Sequence, residues 1–281
     1  MITVHDLSFS YTGRPFIENT SFAVSSGEIF GFLGPSGAGK STLQKLLTGL
    51  LTSYTGSVVV NGEEAGRHGK GFYENIGVDF EFPSLYEKLT ARENLIFFAS
   101  LYQQHGDGDA LLAAVGLLAD ADKKVSDYSK GMKTRLNFIK ALLHNPQLLF
   151  LDEPTSGLDP SNARVVKDII LQEKTRGKTI ILTTHNMYDA TELCDRVAFI
   201  VDGKIRAIDT PRNLIRQRST ASLTYTYLDQ GRETEVKTSL NMTAEDETLQ
   251  RLIRENRLVS IHSDEPTLND VFVALTGRQL Q

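Results

Sequence analysis

Apolar and polar residues alternate with period two at the start of the chain, through "MITVHDLSFSY", and further strand-like stretches follow over 16–24 and 57–61, the last closing on the turn pair Asn61-Gly62. That period predicts strands with one buried face. The run "EIFGFLG" at 28–34 is denser in apolar residues and predicts a further strand, which leads into the helical pattern "KSTLQKLLTGL". From about 90 to 145 the pattern turns helical, in "ARENLIFFASLYQQ", "DALLAAVGL" and "KTRLNFIKALLHN". The apolar strand "LLFL" at 148–151 follows. After it come a helix over "PSNARVVKDIILQEKTR", a strand "TIILTT", a helix "NMYDATELCD", and strands "RVAFIVD" and "KIRAID".

Apolar strands alternating with helices imply a parallel α/β core. The alternating N-terminal strands add an antiparallel β-subdomain, and residues 88–145 form a helical insertion. Past Asn213 the texture changes again. "SLTYTYLDQGRETEVKTSL" predicts a hairpin around Asp229-Gln230-Gly231, and "AEDETLQRLIRENR" a helix. "LVSIHS" then reads as a strand and "TLNDVFVALTGR" as a closing helix. The expected division is a large domain over 1–215 and a small α+β domain over 216–281, with the boundary near Pro211 to Ser219.

Composition narrows the setting. Of 281 residues, 40% are apolar and 23% charged, within the ordinary range for a globular protein. The net charge of −5 argues against a nucleic-acid partner. A single cysteine, Cys194, allows no internal disulfide and suits a reducing compartment. No apolar run approaches the ~20 residues of a spanning helix. The expectation is a cytoplasmic protein whose membrane role, if any, comes through a partner.

The chemistry is concentrated in three stretches. "GPSGAGKST" at Gly34 to Thr42 fits G-x-x-x-x-G-K-[ST] between a predicted strand and helix, the context that gives the pattern its meaning. Gly34, Gly37 and Gly39 let backbone N–H groups close around phosphate oxygens. Pro35, Ser36 and Ala38 complete the loop. Lys40 supplies a charge to the outer phosphates, Ser41 a hydroxyl to Mg²⁺, and Thr42 a further donor. "LLFLDEP" then places Asp152 at the carboxyl end of a buried strand, where sites form in open α/β sheets. Its carboxylate suits a Mg²⁺ shell. The adjacent Glu153 can orient an attacking water, which favours hydrolysis over simple binding or phosphoryl transfer to a small molecule.

The third stretch, "DYSKGMKTRL", puts Ser129, Lys130, Gly131 and Met132 at a helix start. Ser129 can hydrogen-bond a phosphate, Gly131 allows close approach, and the helix dipole adds partial positive charge. One phosphate loop and one such helix per chain make two complete sites when two copies face each other reciprocally.

The order "GPSGAGKST", "YSKGMKTRL", "LLFLDEPTSGLD" and "TTH" resembles the ATP-binding subunits of ABC transporters, over nearly the whole chain up to about Pro211. The resemblance implies that 34–42 is the Walker A loop, and that Asp152 and Glu153 are the Walker B aspartate and catalytic glutamate. It implies that 129–132 is the signature acting on the partner's ATP, and that Asp159 of "SGLD" runs along the dimer interface. His185 matches the switch histidine that touches the γ-phosphate, and Tyr11 the aromatic that stacks on adenine. The partners implied are ATP, a separate integral membrane permease, and a second copy or a paralogue. The place implied is the cytoplasmic face of the membrane.

Two departures stand out. The usual Leu-Ser-Gly-Gly-Gln is Tyr-Ser-Lys-Gly-Met here, a form that resembles a prokaryotic branch exporting drugs, antibiotics, sodium or polysaccharide. The loop glutamine that reaches Mg²⁺ is replaced by Glu81. Beside it, Phe80, Phe82, Leu85 and Tyr86 are more hydrophobic than a free loop needs, and they predict either core packing or a groove for a permease helix. The alternative to transport is a soluble ATPase of the same family acting on ribosomes or DNA.

Overall fold

The computed structural model describes residues 1–69, 71–218, 222–264 and 266–277. It divides into two compact units, one ending at Thr210 and one beginning at Pro211. A division at 215–216 would fall inside the helix that opens the second unit.

The first unit starts with β1 (Ile2–Ser10) and β2 (Pro15–Val24), paired antiparallel. Ile2 and Val4 face inward, and then Leu7 and Phe9 do. The change of phase falls at a register shift between Val4 and Leu7, where Asp6 takes a φ of 48°. A bulge of this kind lets an apolar alternation skip one residue and keep its core face. β3 (Ile29–Leu33) follows, then α1 (Lys40–Leu47), β4 (Tyr54–Val60) and the short β5 (Glu63–Glu64). β4 and β5 join the first two strands in a four-stranded sheet of order β2-β1-β4-β5.

Next come β6 (Ile76–Asp79), α2 (Ala91–Ala99), α3 (Gly108–Ala114) and α4 (Lys130–Lys140). Then follow β7 (Leu148–Asp152), α5 (Pro160–Thr175), β8 (Thr179–Thr184), α6 (Met187–Leu193), β9 (Arg196–Val201) and β10 (Lys204–Asp209). The larger sheet has the order β10-β9-β3-β8-β7-β6. All its neighbours run parallel except β10, which turns back antiparallel to β9. β3, β7 and β8 are buried along their whole length, as strands covered on both faces are.

The main core brings the two sheets together. Phe22 of β2 stacks on Phe30 of β3 at 5.8 Å and meets Phe32 edge-on at 5.2 Å. Leu43, Leu46 and Leu47 of α1 join the same cluster. Burial of each phenylalanine stabilises the unit by about 2 kcal/mol. α1 is thereby fixed with its N-terminus at the end of β3, where the glycine-rich loop of residues 34–39 lies.

The helical insertion hangs on local caps. Thr90 and Glu93 form a reciprocal capping box on α2, and Asp107 caps α3. A buried polar network ties α4 to the end of β6: Asn137 Nδ2 donates to the Asp79 carboxylate and, at 3.1 Å, to the Phe80 carbonyl. Lys140 Nζ donates to Asn137 Oδ1 at 2.7 Å and to the Ser84 carbonyl at 3.2 Å. Burial pushes the Asp79 carboxyl up to about 8, against the opposing pull of Lys140 and Asn137.

The second unit comprises α7 (Pro211–Arg218), β11 (Ser222–Asp229), β12 (Arg232–Ser239), α8 (Glu247–Arg254), β13 (Leu258–Asp264) and α9 (Leu268–Thr276). Its three strands form an antiparallel sheet of order β12-β11-β13. Leu223 and Tyr225 of the sheet pack on Leu249 and Leu252 of α8.

Candidate functional site

The residues 34–39 join β3 to α1 in a tight loop. A Cβ at Gly34 would lie 2.2 Å from the Ile200 carbonyl oxygen of β9, so no other residue fits there. Gly37 and Gly39 take φ angles of 79° and 110°, a region open mainly to glycine. α1 begins with no side-chain cap and no acidic residue in its first turn. Its first N–H groups are therefore not claimed by a side chain, and with the helix dipole they favour an anion. The buried Lys40 ammonium folds back over this loop and donates to the carbonyls of Gly34 at 2.7 Å and Pro35 at 3.2 Å. Burial lowers its pKa, and Glu153, Asp152 and Glu81 act in the opposite direction.

The carboxylates gather at the ends of neighbouring strands. Asp152 closes β7, is buried, and accepts from Thr183 Oγ1 of β8. Glu153 follows in a left-handed conformation with φ 52°, its N–H donating to the Thr183 carbonyl at 2.9 Å. That turn swings its carboxylate toward the end of β8. There Oε1 accepts from the backbone N–H of His185 at 3.0 Å and lies 2.7 Å from His185 Nδ1. Oε2 accepts from Thr184 Oγ1 at 3.2 Å. An ionised carboxylate only accepts, so Nδ1 carries the proton of this contact and Nε2 remains free to face a ligand. The His185 side chain is 45% exposed while that of Glu153 is only 10% exposed.

Tyr11 reaches the start of α1 from the β-subdomain. Its hydroxyl lies 3.1 Å from Thr42 Oγ1, and its half-exposed ring meets Phe9 and Phe16 edge-on. Glu81 is exposed in the loop after β6, near enough to act on Lys40. A cavity of about 270 Å³ is lined by Glu81, Phe82, Tyr128, Lys130, Lys133 and Glu153, among others. The two departures from the family pattern, a carboxylate at 81 and an ammonium at 130, thus border one space with opposite charges.

The remaining site residues sit apart from the loop. Ser129 caps α4, its Oγ accepting from Met132 N at 3.3 Å, and Ser129 and Lys130 are exposed. Among the described residues no hydrogen bond or ion pair joins 129–132 to 34–42. Asp159 caps α5 by accepting from Ser161 N and Asn162 N, both at 3.1 Å, and is exposed. Hydrogen bonds from the Asn162 side chain and backbone hold its carboxyl below the ordinary range.

Three supports of the site escaped the sequence reading: Thr183 on Asp152, Thr184 on Glu153, and Thr155 on Asp189. Two threonines following the apolar run "IIL" at the end of the strand "TIILTT" were the available signal for the first two. No three His, Cys, Asp or Glu side chains gather as a preformed metal cluster among the described residues. Nor, among them, is any helix long and apolar enough to cross a membrane.

Comparison with known proteins places these features. Residues 17–156 match the family model described as ABC transporter. The fluoroquinolones export ATP-binding protein of Mycobacterium tuberculosis (strain CDC 1551 / Oshkosh) is 51% identical, over 100% of this chain and 94% of that protein. The Nod factor export ATP-binding protein I of Rhizobium sp. (strain N33) is 35% identical, over 97% of this chain and 95% of that protein. A solved ATP-binding subunit of an ABC transporter superimposes with a TM-score of 0.71 at 30% identity, covering 77% of this chain and 92% of that one.

Proposed function

Because the chain belongs to the ABC transporter family, as one of its ATP-hydrolysing subunits, we propose that it drives export through a separate membrane permease at the cytoplasmic face, with two copies sharing two ATP sites. The single observation that carries the hydrolytic part is the contact between Glu153 and His185 at the strand ends beside the uncapped start of α1. The relatives' names support export of a small organic molecule, with the fluoroquinolone protein the stronger analogy at 51% identity. A role on ribosomes or DNA is not favoured, since the relatives compared are export subunits and the net charge is −5.

In this reading the ATP phosphates lie in the loop of Gly34 to Thr42 and on the first N–H groups of α1. Lys40 leaves the loop carbonyls for the outer phosphates, and the adenine covers the exposed face of Tyr11. Ser41 and Asp152 offer oxygen donors, a set that suits Mg²⁺ bound jointly with substrate phosphates. Glu81 adds a third carboxylate at the edge of that site. When bound, Mg²⁺ offsets charge on the terminal phosphates. Glu153 orients a water and takes its proton as the water oxygen attacks the γ-phosphorus and ADP leaves. His185 holds the Glu153 carboxylate through Nδ1 and turns Nε2 toward the γ-phosphate.

The partner copy brings Ser129, Lys130, Gly131 and Met132 to the far side of that phosphate, and Asp159 lies along the seam. The exposed ends of α4 and α5 support this arrangement, since one chain gives them no phosphate to meet. The exposed rings of Phe82 and Tyr86 offer the permease a docking surface. The experiment that tests the whole reading is co-purification with a multi-span membrane protein, followed by ATP-dependent export from vesicles containing both. A folded, ATP-hydrolysing protein that captures no such partner and supports no transport would overturn it.

A further inference from the structure

The contact between Glu153 and His185 has a second one beneath it. Two residues beyond Glu153, Thr155 Oγ1 donates to Asp189 Oδ2 at 2.7 Å. Four residues beyond His185, Asp189 sits in the first turn of α6, which Asn186 caps by accepting from Tyr188 N and Asp189 N. The segments 153–155 and 185–189 are therefore joined by two rungs, one between the reacting side chains and one between side chains that face no ligand. Asp189 is 7% exposed, and its other oxygen pairs with Lys167 Nζ of α5 at 3.3 Å. Lys167 also holds Glu192 at 2.5 Å, and Glu192 holds Arg164 at 2.8 Å. The second rung is thus anchored to two helices rather than to a loose surface pair.

The need for such an anchor lies in Glu153 itself. A glutamate at φ 52° is held there by its surroundings and not by its own preference. The backbone bond from Glu153 N to the Thr183 carbonyl fixes one side of that turn. Ser156 N donates to the Glu153 carbonyl at 2.9 Å, and Thr155 fixes the other side through Asp189. A carboxylate that must orient a water loses effectiveness steeply with small displacement, so a rung two residues away acts on the rate.

We infer that Asp189, through Thr155, is a positioning residue for ATP hydrolysis: it locks the segment bearing Glu153 against the segment bearing His185. This rests on the reading of Glu153 and His185 as the hydrolytic pair. It assigns Asp189 no contact with ATP.

The test uses the full chain. Thr155→Val removes the hydroxyl and leaves the ion pair of Asp189 with Lys167 in place, so folding is spared. Turnover should fall about tenfold or more, while KM for ATP stays within about twofold. Thr155→Ser, which keeps the hydroxyl, should restore turnover. Asp189→Ala should reproduce the loss, and the double variant should fall no further than the worse single, as partners in one interaction do. Wild-type turnover in Thr155→Val would overturn the assignment. So would losses that multiply in the double variant, or a fall in turnover that tracks a rise in KM or a loss of folded protein. Glu153→Gln run in parallel separates the two levels. If it keeps wild-type turnover, the hydrolytic pair itself is wrong. If it is inactive while Thr155→Val is normal, only the role of Asp189 fails.

Discussion

The imidazole of His185 and the carboxylate of Glu153 meet at 2.7 Å, and the backbone N–H of the same histidine donates to the same oxygen at 3.0 Å. One residue thus holds Glu153 twice, once through its side chain and once through its backbone. In Glu153→Gln the backbone bond survives, because an amide oxygen accepts as a carboxylate does. ATP binding should therefore persist, while turnover falls by roughly a hundredfold or more with the loss of the base. The variant should accumulate as an ATP-bound dimer on size-exclusion chromatography. Normal turnover would remove Glu153 from the mechanism.

Sharing of the site between copies is tested by mixing variants. A heterodimer of Lys40→Ala with Ser129→Ala puts both lesions in one composite site and leaves the other intact. It should hydrolyse ATP although each homodimeric variant is impaired at both sites. Equal damage at both sites of the isolated heterodimer would mean that Ser129 acts within its own chain.

The proposed docking surface is specific. Phe82 is 79% exposed, while Phe80 and Leu85 of the same loop are half-buried. Tyr86 is half-exposed and its ring meets Phe97 at 4.8 Å. Its backbone is held independently: Asn94 Oδ1 accepts from Tyr86 N at 2.8 Å and Asn94 Nδ2 donates to Tyr86 O at 3.0 Å. Phe82→Asp should cost the isolated protein no more than about 0.5 kcal/mol. It should nonetheless abolish capture of the permease. Pull-down at unchanged strength would end this proposal.

Glu81 should reveal itself through Mg²⁺. If its carboxylate stands at the edge of the metal site, hydrolysis by the wild type depends more steeply on Mg²⁺ than hydrolysis by Glu81→Gln. Titration of Mg²⁺ at fixed ATP decides the matter, and superimposable curves would mean that Glu81 does not reach the metal.

The buried Asp79 gives a pH dependence with a definite sign. Its pKa in the folded chain, about 8, lies above the 3.8 of a free aspartate side chain. Between those values the folded chain holds a proton that the unfolded chain has lost. Its contribution to stability is therefore full below about 4 and declines as pH rises toward 8. Asp79→Asn should flatten this part of the melting-temperature profile. A parallel profile in the variant would show that Asp79 does not titrate in that window.

What the sequence made legible was local. The loop of Gly34 to Thr42 between strand and helix, the strand ending in Asp152, and the helix start at Ser129 each lie within a dozen residues, so residue type and spacing predict the elements that carry them. The supports of the site were not legible. Thr183 lies 31 residues from Asp152, Thr155 lies 34 from Asp189, and Asn137 lies 58 from Asp79. Each pair meets only because the sheet order and helix packing bring it together. Helix ends show the same limit. The pattern "KTRLNFIKALLHN" suggests continuity to Asn145, but α4 ends at Lys140 and Asn145 takes a φ of 50°. The proline at 146 disfavours helix in the residue before it.

The left-handed turn at Glu153 also bears on how this protein could be made sturdier. A residue with a Cβ at such a φ gives up about 1 kcal/mol that glycine would keep. A selection for thermal endurance alone would therefore find glycine attractive at that position, and the survivors would be robust chains that grip ATP and cannot spend it. If Glu153 is the hydrolytic base proposed above, the turn marks a place where the demands of folding and of turnover point to different amino acids.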